Sequence, residues 1–179
     1  LNNITGDEIR KMSESLHNDF RYLNEECDKI ATEYSRDLDE KVDRITWYLK
    51  ATKDNNLDFD VPSLQRMAME LSAIIYYAND RLEKLQILSD MAEIKYRDKY
   101  NESYLSKQGA KKLEDRTLTK DQVKSMAEQE SLPEELISFI YSHAAKILKG
   151  KIDSAYELLK SVSKSLSAEI TQMQQFSNK

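Results

Sequence analysis

The residues best placed to do chemistry in this chain lie in the run Ile94-Lys95-Tyr96-Arg97-Asp98-Lys99-Tyr100-Asn101-Glu102-Ser103-Tyr104. On a helix, Tyr96, Tyr100 and Tyr104 fall at i, i+4 and i+8, so their rings lie one above another on a single face. Lys95 and Lys99 flank that row, and Arg97 points nearly the other way. Single-stranded nucleic acid binds where aromatic faces accept stacked bases and cations follow the phosphates, each stacked base contributing about 1–3 kcal/mol. The same spacing also arises if the tyrosines merely continue an apolar packing stripe and the lysines are its solvated flanks. Lys107, Lys111, Lys112 and Arg116 follow closely in a polar segment. They either extend the cationic track or are simply hydrated loop charges.

Other chemistry is poorly represented. His17 and His143 stand alone, and Cys27 is the single cysteine, so an internal disulfide is excluded and a reducing, cytoplasmic setting is expected. The chain has no Cys-x-x-Cys pair, His-Glu-x-x-His motif, phosphate-cradling glycine loop or Gly-x-Ser-x-Gly elbow. No catalytic residue, metal ligand or cofactor is therefore assigned, and the expectation is a protein that is not an enzyme. Acidic pairs such as Asp39/Glu40 and Glu134/Glu135 read as solvated or cap charges. Trp47 reads as a packing or interface residue.

The elements that position these side chains are helices. Three glycines and two prolines in 179 residues are too few for a sheet protein, and 40% hydrophobic with 33% charged residues suits solvated helices. No run approaches the ~18 apolar residues of a membrane span, and no signal-peptide pattern opens the sequence.

Thr5 and Glu8 form a capping box for a first, acidic helix over 1–52. Its apolar stripe runs through Ile9, Met12, Leu16, Phe20, Leu23, Cys27, Ile30, Tyr34, Leu38, Val42, Ile45 and Leu49 in steps of three or four. Such a helix spans about 65–70 Å at 1.5 Å per residue and needs a hairpin partner, a coiled coil or an oligomer to cover it. After a loop, Ser63 caps a central helix over 63–104, with Leu64, Met67, Leu71, Ile74, Ala78, Leu82, Leu85, Leu88 and Ala92 as its stripe. A polar segment with a short helix over 120–129, capped by Thr119, occupies 105–130. Ser131-Leu132-Pro133-Glu134-Glu135 then restarts a C-terminal helix over 132–176, with proline in the first turn. Ile137, Ile140, Ala144, Ile147, Ala155, Leu159, Val162, Leu166, Ile170 and Met173 form its stripe, and Gly150 marks a bend.

The predicted fold is thus a single all-α domain, 1–179, of three long amphipathic helices plus a short one. It is hairpin- or coiled-coil-like and oligomeric. The net charge is −5. Residues 1–60 carry nine basic against fifteen acidic side chains, whereas 95–116 carry seven against four. An acidic balance does not exclude nucleic-acid binding if oligomerisation collects that basic zone on one surface.

This layout resembles the phage recombination mediator family typified by UvsY. In that family a central helix bears a Lys-x-Arg pair followed by tyrosine, then a polar stretch and a long C-terminal helix. Lys95-Tyr96-Arg97 stands in the place of the pair, Tyr100 follows it, and Leu132 to Phe176 takes the place of the last helix. The likeness covers roughly residues 64–177. The long acidic first helix and the longer polar segment depart from the pattern. The resemblance implies a homo-oligomeric ring in the host cytoplasm that binds single-stranded DNA through phosphates. It would help a recombinase load where a single-strand binding protein already sits. The alternative from the residues alone is a protein–protein module: an assembly factor, a virion component or an inhibitor of a host system.

Overall fold

Apolar residues recurring every three or four positions produce three α-helices. The computed structural model describes residues 6–54, 60–110 and 118–177. The described residues are 97% helical and contain no strand. Helix α1 is Gly6–Lys53, α2 is Val61–Ala110 and α3 is Lys120–Ser177. The Thr5 cap lies outside the described residues, as do the side chains of Ile9, Met12 and Leu16.

Two expected boundaries are corrected. The cap of α2 is Asp60 rather than Ser63: its Oδ2 accepts the Ser63 N–H at 3.2 Å, and its carbonyl accepts the Leu64 N–H at 3.1 Å. A carboxylate at the positive helix end outranks a hydroxyl, and Pro62 falls in the first turn, where no N–H is needed. The helix also continues to Ala110, past the expected end at 104.

The second correction concerns the expected break near 130. No separate short helix exists; α3 runs unbroken through Pro133 and Gly150. Thr119 does start it, its Oγ1 accepting the Gln122 N–H at 3.3 Å while the Gln122 side chain accepts the Thr119 N–H at 2.9 Å. This reciprocal pair is a capping box. Ser131 does not cap anything. It is fully buried, and its hydroxyl donates to the carbonyls of Ala127 and Glu128.

The chain divides into two compact units: Leu1–Ile30 with Leu85–Ala145, and Ala31–Lys84 with Lys146–Lys179. The second unit has a core of large aliphatics, in which Leu38, Ile45, Leu64, Leu71, Ile75, Leu148 and Ile152 are all essentially inaccessible. Each such side chain contributes about 1.5–3 kcal/mol of burial. Tyr48 ties the α1–α2 connection, its hydroxyl accepting the Asp60 N–H at 2.9 Å. Within the same unit Lys151 of α3 donates to Asp39 at 2.7 Å and to Ser35 at 2.9 Å on α1. Ser35 in turn donates to Asp39 at 2.6 Å. Buried Ser35 is thus satisfied without interrupting the packing seam.

The first unit is built differently. Among its described residues, apart from Leu85, the buried ones are small: Cys27, Ala92, Val123, Ala127, Ala144 and Ala145, with Ser103 and Ser131. Burial also pushes the Cys27 thiol above its ordinary pKa. Seven-residue recurrence governs both units, as in Leu64, Leu71, Ala78, Leu85 and Ala92 of α2. It explains which apolar residues the sequence misplaced. Phe20 and Ile137 are exposed, while Ile75, Leu148 and Ile152, absent from the expected stripes, are buried. A 3.6-residue count drifts from a 3.5-residue seam by about 20° per heptad, enough to exchange neighbours over these lengths.

Candidate functional site

All described candidates for nucleic-acid contact lie on α2 within the first unit. Lys111, Lys112 and Arg116 lie outside the described residues. The tyrosine row is present. The ring centroids of Tyr96 and Tyr100 are 6.5 Å apart, and those of Tyr100 and Tyr104 are 6.2 Å apart with planes 22° from parallel. All three rings are half-buried. Tyr96 lies on the α2 seam, seven residues before buried Ser103, so it packs as well as displays a ring. Burial, reinforced by Glu135 and Glu128 of α3, raises its hydroxyl pKa.

Most of the cations carry acidic partners. Arg97 pairs with Glu93 on its own helix, and Lys99 lies 3.6 Å from Glu102. Lys107 reaches across to Glu130 of α3 at 2.6 Å, where Ser103 also donates at 2.8 Å. These hydrogen bonds from Lys107 and Ser103 hold the Glu130 carboxyl below its ordinary pKa. A lowered folded pKa means that the carboxylate stabilises the fold above the ordinary glutamate value. That contribution is lost as pH falls through the lowered one. In thermal melts at decreasing pH, Glu130→Gln should therefore show a flatter acid limb than the unmodified protein, with the two converging at the acid end.

Lys95 differs from the other cations. It has no charged partner among the described residues. It lines a groove with Leu88 and Met91 of α2 facing Glu134, Ile137 and Tyr141 of α3. The groove encloses about 240 Å³, below the ~300–1,000 Å³ of typical small-molecule sites. It is sized for inserted side chains. Glu134 contributes a carboxylate whose Oε2 is buried and receives no hydrogen bond. In the sequence Glu134 has the position of a cap charge, in the first turn of a helix that restarts at Ser131. Continuous α3 puts it in the wall of a groove instead.

Two further features bear on function. The first unit carries 13 basic and 18 acidic side chains, the second 14 of each. Only half of the net acidity expected at the N-terminal end, that of residues 1–30, shares a unit with the tyrosine row. Among the described residues no cluster of three His, Cys, Asp or Glu is arranged to hold a metal ion, and no helix is long and apolar enough to cross a membrane. Comparison with protein-family models, with curated proteins and with solved structures gives no match to this chain.

Proposed function

We propose that this chain is a non-enzymatic helical protein that works by assembling with other protein chains through coiled-coil-like packing. The observation that carries the reading is the inverted first unit. Among its described side chains the buried ones are mostly alanine, serine, cysteine and valine, while Ile87, Met91 and Ile94 of α2 and Leu132, Leu136 and Phe139 of α3 stand outside. Each triplet is spaced i, i+4, i+7, one face of a helix. Large aliphatics grouped on an exposed helix face mark an interaction surface, because a lone chain gains nothing by wetting them. Seven-residue recurrence of the buried positions is the spacing that coiled coils use, so further helices can be added in the same register. Sedimentation velocity over roughly 1–100 μM should show species larger than 20.9 kDa. A single monomeric boundary throughout would sink the reading.

A second reading has its own observation: the tyrosine row with Lys95, Arg97, Lys99 and Lys107 beside it. It makes the chain a single-stranded-DNA-binding recombination mediator that acts with a recombinase and a single-strand binding protein. Exposed pairs such as Arg97–Glu93 contribute only about 0.3–0.5 kcal/mol, so a phosphate could displace the carboxylate at little cost. Combined replacement of Lys95, Arg97 and Lys99 by alanine should then weaken oligonucleotide binding irrespective of sequence. The log–log salt dependence should flatten by roughly 2, at about 0.7 for each phosphate that is no longer neutralised. Fluorescence anisotropy at several salt concentrations measures both, and equal affinities with equal slopes remove this reading.

A further inference from the structure

The groove between α2 and α3 in the first unit carries one unpaired charge of each sign on opposite walls. Lys95 stands on α2 and Glu134 on α3, and they do not pair with each other. The intervening surface is apolar, with Leu88, Met91 and Ile137 contributing to it. Met91 and Ile137 are about half exposed, as are Ile87 and Ile94, which continue the α2 row past the groove.

We propose that this groove is a self-association surface, occupied by the same groove of a second copy of the chain. The inference rests on the assembly reading above and names its partner and its contact. In a two-fold contact each patch meets itself, so a charged patch must contain its own complement. A two-fold axis running along the groove exchanges the two walls. It brings Lys95 of each copy over Glu134 of the other and closes two ion pairs around shared apolar contacts. An axis across the groove would instead set like charges together. A nucleic-acid strand does not meet this description, since the Glu134 carboxylate repels phosphate where Lys95 would attract it. The balance of one cation and one anion over an apolar floor is what a second copy needs.

Charge reversal tests the assignment, because a single reversal creates two like-charge contacts per dimer and a compensating reversal removes both. Lys95→Glu and Glu134→Lys should each weaken self-association by about tenfold or more in sedimentation velocity, a change of roughly 1.4 kcal/mol or more. The double variant should associate nearly as the unmodified chain does. An equimolar mixture of the two single variants should also associate, since the reversed charges face each other across the axis. Lys95 is exposed and Glu134 lies at the groove wall, so circular dichroism should show unchanged helicity. Lys95→Gln provides a milder variant with a smaller loss.

Association that is untouched by either single reversal would overturn the groove assignment while leaving the assembly reading intact. Association abolished in both singles and restored neither in the double variant nor in the mixture would overturn it too. A wild-type chain that stays monomeric removes both ideas. Loss of oligonucleotide binding in Lys95→Glu, with unchanged sedimentation and no rescue by Glu134→Lys, would assign the groove to nucleic acid instead.

Discussion

Leu148→Ala is expected to be among the most damaging single substitutions in the chain, lowering stability by about 2–5 kcal/mol. Leu148 is fully inaccessible in the second unit, and it belongs to the seven-residue series continued by Ala155 and Val162 on α3. Truncation removes the burial of its branched end and leaves a cavity that helices anchored along long seams cannot collapse to fill. For a chain of this size, the melting temperature should fall by roughly 5–15 °C. The matched control is Trp47→Ala, a much larger deletion at a residue that is 65% exposed. It should change stability by no more than about 0.5 kcal/mol, as expected for a surface position, when melts are followed at low protein concentration. Equal sensitivity of the two positions, read by circular dichroism at 222 nm, would show that the seam is misassigned.

Pro133→Ala should have the opposite sign. Proline inside a helix removes one backbone hydrogen bond and crowds the preceding turn, at a cost of about 3 kcal/mol relative to alanine. Pro133 lies well inside α3 and its side chain is exposed, so alanine restores the N–H without disturbing any packed neighbour. The expected gain is about 1–3 kcal/mol, or roughly 3–10 °C in melting temperature. This result separates two structures for the region. If a new helix began at Ser131, as the sequence alone suggests, Pro133 would sit in a first turn that needs no N–H, and alanine would be neutral or harmful. A melting temperature unchanged or lowered by Pro133→Ala would therefore argue for the broken helix.

The Ser131-Leu132-Pro133-Glu134-Glu135 run shows why local signals misled. Each residue there has a strong preference for a helix start, and those preferences are worth about 1 kcal/mol apiece. Those preferences do not break α3, which runs unbroken through Pro133 with Val123, Ala127 and Ser131 buried in the turns before it. Ser35, Ser103 and Ser131 were invisible to an apolar count for a related reason. A serine that hydrogen-bonds a nearby carbonyl, carboxylate or lysine can be buried at little cost, and its partners come from other turns or helices.

The sequence by itself determined that the chain is helical, where its three long helices broadly lie, that a helix starts at Thr119, and that Tyr96, Tyr100 and Tyr104 share a face. All of these follow from interactions within a few residues of one another. Only the tertiary structure decided which apolar side chains are inside, because the seam follows a 3.5-residue period set by neighbouring helices rather than the helix's own 3.6. It likewise decided that Lys107 is held by Glu130, and that Lys95 and Glu134 face an open groove without partners. The packing of α2 against α3 that creates those relations joins residues more than 20 positions apart, such as Lys107 and Glu130. No local spacing rule encodes such distances.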